Sequence, residues 1–168
     1  MNTNANETSN VSATGVDIVS KTGAAALTAE ELISTLAPDD TIASELCNVA
    51  RAASAMVDEV FHDADIDTQL LKLAEECDEM YFSGCTYCGL VDVAIISLQL
   101  IYDYKCMIGL CTLRGALQES VIRTEDDWKE FLDACHCKIK MNYARKAMNF
   151  WEKARVIPVP VYDRSDGE

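Results

Sequence analysis

The sequence predicts an all-α fold: a single compact helical domain of five or six helices, with a flexible N-terminal tail and an extended C-terminal arm. Its 168 residues are 49% hydrophobic, enough apolar content for one core in a chain too short for two ordinary domains. Three prolines and seven glycines are too few turn residues for a sandwich or barrel of many short strands. Apolar residues instead recur every three or four positions, which is the period of an amphipathic helix.

The two ends of the chain differ in composition from its middle. Residues 1–26 are rich in Asn, Thr and Ser, so burial cannot offset the entropy of ordering them. Residues 156–168 contain Pro158 and Pro160, which favour extended backbone. We therefore expect a disordered tail at 1–26, a helical domain at 27–155 and an extended arm at 156–168. Because no basic segment followed by an apolar one opens the chain, we expect no secretory signal and a cytoplasmic protein.

Capping patterns mark the first two helices. Thr28 and Glu31 form a capping box, in which each side chain satisfies an amide at the helix start, so a short helix should run to about Leu36. Pro38 and the aspartates after it end that helix and cap a second one. The apolar face of the second helix has positions three and four apart: Ile42, Leu46, Val49, Ala53, Met56 and Val60.

A third helix is predicted over residues 67–81, because an apolar stripe alternates there with acidic residues. The stripe comprises Leu70, Leu73, Ala74, Cys77 and Met80. Ser83 and Gly84 should end this helix.

The apolar stretch 90–117 is predicted to be the central core helix. Its run 93–98 would also suit a buried strand, but no turn signal divides the longer stretch, which favours a helix. The run is far shorter than the roughly 20 residues that span a bilayer, so we expect no membrane contact. Gly109 and Gly115 either weaken the helix or mark places where another helix packs closely.

The C-terminal residues 124–155 are predicted to form a helix-turn-helix-like pair. Thr124 and the acidic residues after it suit the positive end of a helix dipole, so a helix should begin there. Its pattern fades near residues 135–137, and a second helix should open at about Met141. Two short helices with a tight break are the arrangement that a DNA-binding helix-turn-helix needs.

Charge is sorted along the chain, and this sorting predicts a binding protein. The net charge is −14, yet residues 138–155 hold six Lys/Arg against one Glu, while residues 1–80 hold sixteen Asp/Glu against three Lys/Arg. A recognition helix needs cations that face phosphates and polar side chains that face base edges. The predicted nucleic-acid contacts are Lys138, Lys140, Asn142, Arg145, Lys146, Asn149 and Lys153. The alternative is that these cations complement the helix dipole and solvate an outer face.

The order of residues in the C-terminal half of the chain resembles a family of uncharacterised phage and plasmid proteins. In that family an apolar helix precedes a Trp-containing helix, and a final helix carries a pattern of the type Arg/Thr-Ala-x-x-Tyr-Met. The matching residues lie within about 94–155: Ile108, Gly109, Leu110, Leu113, Leu117, Gln118, Trp128, Phe131, Leu132 and 142–148. The resemblance implies a mobile-element origin and a helix-turn-helix-like end. The expected function is then a non-catalytic regulatory protein that acts on DNA or on a protein partner.

The acidic half of the chain supports an alternative function. Carboxylates spaced along helices can occupy the basic groove of a nucleic-acid-binding protein in place of phosphates. In size and charge the chain resembles small acidic phage-encoded inhibitors, among them inhibitors of CRISPR nucleases and DNA mimics. The predicted partner-binding residues are Glu45, Asp58, Glu59, Glu75, Glu76, Asp78 and Glu79. The simpler alternative is an acidic surface that only improves solubility.

Eight cysteines leave a third function open. Cys85 and Cys88 lie at one predicted turn and Cys135 and Cys137 at another, so four thiolates could close a zinc site in a small interaction module. The single residue between Cys135 and Cys137 departs from the usual spacing of two, and structural thiols are the alternative. We expect reduced thiols, because long helical patterns do not need disulfides to complete a core. Four thiols are predicted to pack in that core: Cys47, Cys77, Cys106 and Cys111.

No catalytic constellation is visible, so we expect a protein that is not an enzyme and, zinc apart, needs no cofactor. His62 lies in an acidic loop and His136 between cysteines, which leaves few positions for a general base. The sequence has no phosphate-binding glycine loop, nucleophile elbow or His-Glu-x-x-His run. The expected partners are DNA or a nucleic-acid-handling protein, and binding to paired half-sites would make the protein a homodimer.

Overall fold

The computed structural model describes residues 26–61, 65–82 and 86–148, and in these ranges it contains six α-helices and no β-strand. The helices are α1 (Ala29–Ser34), α2 (Asp40–Val60), α3 (Ile66–Phe82), α4 (Thr86–Tyr104), α5 (Met107–Glu119) and α6 (Glu125–Ala147). The predicted all-α fold is confirmed, and the strand alternative for 93–98 is wrong because these residues lie inside α4. The predicted arm at 156–168 and the tail at 1–26, apart from Ala26, lie outside the described residues.

The first two helices begin where the capping patterns indicate. The Thr28 hydroxyl accepts a hydrogen bond from the Glu31 amide at 3.1 Å, and the Glu31 carboxylate accepts one from the Thr28 amide at 2.7 Å. This pair is the predicted capping box of α1. The Asp39 carboxylate accepts from the Ile42 amide at 2.9 Å and caps α2.

Helix α4 is the centre of the bundle, because it packs against each of the other five helices. Its residues Val93, Ala94, Leu98 and Ile101 are fully buried, as predicted for the central core helix. By length and composition alone, the window Tyr87–Tyr104 could cross a membrane. More than half of that window is buried in the bundle, so α4 is compatible with the core of a soluble protein.

The predicted single element over 90–117 is wrong in one respect, because it is two helices. Helix α4 ends at Tyr104, and Lys105 takes the left-handed backbone conformation with φ 50°. The chain then folds back, so that Gly109 of α5 packs on the Ser97 carbonyl, 3.0 Å from the position of a Cβ atom. Gly109 thus marks a close helix contact, whereas a Cβ atom at Gly115 would have no neighbour within 4 Å among the described residues.

The predicted helix-turn-helix-like pair is also wrong within the described part of 124–155, because α6 is one continuous helix through residues 135–137. Trp128, Phe131, Cys135 and Ile139 are buried at spacings of three and four, so the apolar stripe continues where the sequence pattern fades. Thr124 caps the helix through a capping box with Asp127, as its acidic first turn indicates. No tight break separates two short helices, and residues 149–155 lie beyond the described range.

Candidate functional site

Lys138, the first of the predicted nucleic-acid contacts, is engaged inside the bundle. Its Nζ atom lies 2.7 and 2.8 Å from the two carboxylate oxygens of Asp92 on α4. The two side chains are only 28% and 21% exposed. A pair so shielded from water interacts more strongly than a surface ion pair, and breaking it leaves a partly buried charge. Lys138 therefore fastens α6 to α4.

Two more of these residues fasten the end of α6 to α2. The Asn142 amide donates to the Met56 sulfur at 3.7 Å, and the Lys146 ammonium donates to the Glu59 backbone carbonyl. Lys140 is exposed and Arg145 is half-buried, while Asn149 and Lys153 lie outside the described residues. Within the described part of α6, the predicted contacts are therefore not gathered on one outward face.

Among the described thiols, Cys135 and Cys137 are not placed together as the predicted zinc site requires. Cys135 is fully buried and Cys137 is exposed, because residues two apart in a helix point in nearly opposite directions. Burial, and then the nearby Asp92 carboxylate, raise the pKa of Cys135 to about 12, so its thiol stays protonated. Cys88 is exposed on α4, and Cys85 lies outside the described residues.

No group of three or more metal-ligating side chains occurs within the ranges that the structure covers. In the same ranges seven cysteines form no disulfide. The predicted burial of the other thiols holds in part: Cys47, Cys77 and Cys106 are partly buried against the core. Cys111 is exposed on α5, which corrects its predicted core position, whereas Cys135 takes a core position instead.

Helix α3 packs on α4 with one face and leaves the other in solvent. Gln69, Leu73 and Met80 are buried on the inner face, while Ala74, predicted in the buried stripe, is exposed. The contact is close at Gly89 of α4, where a Cβ atom would lie 2.7 Å from the Met80 Cα atom. Glycine at this position therefore allows α3 to approach.

The outward face of α3 carries a line of exposed residues three and four apart. This line, the α3 stripe, consists of Leu71, Glu75, Asp78 and Phe82. Leu71 is 69% exposed and Phe82 is 87% exposed. Two apolar side chains three turns apart thus enclose two carboxylates.

The charge around the α3 stripe is strongly negative. Residues 65–82 hold six Asp/Glu and one Lys, and that cation, Lys72, pairs with Glu75 at 3.1 Å and Glu76 at 2.8 Å. The Lys72–Glu75 pair is exposed, and a pair of this kind contributes little to stability. Neither pair changes the net charge of the segment. The face therefore combines net negative charge with exposed apolar surface.

The predicted partner-binding carboxylates fall on two helices. Glu45, Asp58 and Glu59 are exposed on α2, while α3 carries Glu75, Asp78 and Glu79 exposed and Glu76 half-buried. The sequence analysis missed Leu71 and Phe82. Leu71 and Phe82 are eleven residues apart, so they lie on the same side of the helix, opposite the side that carries Leu73 and Met80. This spacing is the sequence signal that could have identified them.

A polar cluster joins α2 to α4 near the end of α4. The Asp103 carboxylate accepts a hydrogen bond from Ser54 and one from Gln99, both at 2.7 Å. Each donor occupies one oxygen of Asp103, so the cluster holds two helices together.

Comparison with protein-family models, with curated proteins and with solved structures finds no match for this chain.

Proposed function

We propose that this chain is a non-catalytic interaction protein that binds a basic surface of a nucleic-acid-handling protein through the outward face of α3. The observation that carries this proposal is the α3 stripe, which exposes carboxylates between Leu71 and Phe82. Of the two functions that the charge sorting suggests, the acidic inhibitor is the one that this geometry favours. Its origin in a phage or mobile element stays a prediction.

The combination of charge and apolar surface favours a protein partner. Carboxylates steer a basic partner to the surface and accelerate its association, but they add modest affinity on their own. Leu71 and Phe82 supply apolar area that becomes buried on contact, and aromatic anchors are common at the centre of protein interfaces. A basic helix with an apolar edge would satisfy both parts of the stripe.

The surroundings of α6 weigh against duplex DNA as the ligand. Lys138 and Lys146 are engaged with α4 and α2, and the net charge of −14 repels a polyanion. Phosphate contacts require cations that face outward together. The described part of α6 instead uses several of its polar side chains to complete the bundle.

The proposal is tested with a fluorescent lysine- and leucine-rich amphipathic helical peptide as the probe. We expect binding at low salt that weakens as salt rises to about 0.3 M, because screening removes the attraction. The double substitution Glu75→Lys and Asp78→Lys should reduce affinity at least about tenfold, or about 1.4 kcal/mol. Fluorescence anisotropy measures the affinity.

A matched control places the same charge change on another helix. Glu130 and Asp133 are exposed on α6, so Glu130→Lys with Asp133→Lys alters net charge equally without touching the α3 stripe. We expect this control to retain most of the affinity. An equal loss in both variants, or tighter binding of random duplex DNA than of the peptide, would contradict the proposal.

A further inference from the structure

The outward face of α5 differs from the rest of this acidic chain because it is almost free of charge. Between residues 106 and 118 Arg114 is the one charged residue, although the chain has a net charge of −14. Met107 is 55% exposed and Ile108 is 59% exposed, and Cys111 is exposed one turn further on. These residues, with Thr112, Gly115 and Gln118, form the α5 face.

The charged residues at the borders of the α5 face are engaged with other parts of the chain. The Arg114 guanidinium donates to the Thr35 hydroxyl at 2.8 Å. The Glu119 carboxylate accepts a hydrogen bond from the Tyr81 hydroxyl at 3.2 Å, which links α5 to α3. Arg114 is exposed and keeps its charge, but both contacts hold these two side chains at the borders of the face and not in its middle.

The middle of the α5 face consists of small residues. A Cβ atom at Gly115 would meet nothing within 4 Å, so no other part of the described chain covers this position. Ile108, Cys111 and Gly115 are spaced by three and four residues, which aligns them along one side of the helix. A second helix could therefore approach this side closely, with small residues at the crossing point.

We infer that the α5 face is a contact between two copies of this chain. Two copies that each carry a charge of −14 repel one another, so they can meet with least repulsion where a surface lacks carboxylates. A two-fold axis through the middle of α5 would bring each face onto its own copy, with Cys111 of one copy close to Cys111 of the other.

The size of the α5 face sets the expected strength of the dimer. One helix of 13 residues presents less area than the roughly 800 Å² per partner of a standard interface. The dimer should therefore be weak and transient. Because salt screens the repulsion between copies, the dimer should become stronger as salt rises.

Analytical ultracentrifugation of the full chain, at rising protein concentration and at low and about 0.5 M salt, tests this inference. We expect the dimer fraction to increase with both. Ile108→Glu places a charge on the face and should shift the equilibrium to monomer. The matched control Met141→Glu, an exposed substitution on α6, should leave the dimer unchanged.

Oxidative crosslinking gives a second measurement. Copper phenanthroline should form a disulfide-linked dimer that Cys111→Ser abolishes and Cys137→Ser does not. A chain that stays monomeric at both salts up to about 0.2 mM would overturn the inference, as would a dimer that weakens with salt or survives Ile108→Glu.

Discussion

Helices α3 and α5 lie against the same central helix, yet their outward faces have opposite character. Each packs on α4 through a close contact at a glycine, Gly89 for α3 and Gly109 for α5. Outward, α3 presents carboxylates beside Leu71 and Phe82, whereas α5 presents uncharged residues around Ile108. The inner faces are constrained by the shared core, but the outer faces are not, and we propose a different partner for each outer face.

Salt concentration should change binding at the two faces in opposite directions. Attraction between the acidic face of α3 and a basic partner is screened by ions, so binding there weakens as salt rises. Contact between two α5 faces is opposed by the net charge of each copy, so it strengthens under the same change. One titration can therefore assign an observed interaction to one helix or the other.

The largest expected effect breaks the attachment of α3. Gly89→Ala would place a Cβ atom 2.7 Å from the Met80 backbone, so α3 must move away from α4. We expect a loss of about 3 kcal/mol in the free energy of unfolding, measured by urea denaturation.

The matched control for this change is on α5. Gly109→Ala meets the Ser97 carbonyl at 3.0 Å, a milder overlap, and should cost about 1 kcal/mol. If Gly89→Ala cost no more than Gly109→Ala, the closer attachment of α3 would be refuted.

A smaller effect compares the thiols of the two helices. Burial, and then Asp78 and Glu76, raise the pKa of Cys77 on α3, so less of it is thiolate at a given pH, whereas Cys111 on α5 is exposed. Iodoacetamide at about pH 8 should alkylate Cys111 several-fold faster than Cys77, as measured by mass spectrometry. Because folding raises the pKa of Cys77, this group lowers stability as pH rises through the unfolded thiol value of about 8.5. Equal alkylation rates at the two thiols would contradict the expected difference in their reactivity.

The smallest effect concerns the open side of α5. Gly115→Ala meets no atom within 4 Å and replaces a poor helix former, so it should stabilise the monomer by about 0.5–1 kcal/mol. The added methyl group lies on the α5 face and should weaken the proposed dimer. Thermal unfolding and ultracentrifugation measure the two changes, and a stabilised monomer with a tighter dimer would place the crossing point elsewhere.

The parts of the fold that neighbouring residues decide could be predicted from the sequence. Thr28 and Glu31 form the expected capping box, and α3 begins and ends within one residue of the expected 67–81. The corner between α4 and α5 could not be predicted, because Lys105, not a glycine, takes the left-handed conformation there. The sequence pattern did not indicate that α6 is one continuous helix, because Cys135 can be taken for a polar or metal-binding residue until its burial is known.

The candidate site was predictable only in part. Acidic residues on α3 were expected to face solvent, and most of them do. Which of the adjacent residues Leu70 and Leu71 faces outward depends on how α3 is rotated against α4, and Gly89 and Met80 fix that rotation. The role of Lys138 on α6 could not be predicted either, because a lysine at that position can contact a phosphate or pair with Asp92.

The placement of α6 has a consequence for the order of folding. Its bonds from Asn142 to Met56 and from Lys146 to Glu59 join residues 86 and 87 positions apart, whereas α3 and α5 each pack on α4, their neighbour in sequence. Contacts between distant residues form slowly, since they must first close a long loop. During synthesis the α3–α5 part can therefore assemble early, while the sides of α2 and α4 that α6 covers stay exposed to chaperones and aggregation until α6 has been translated.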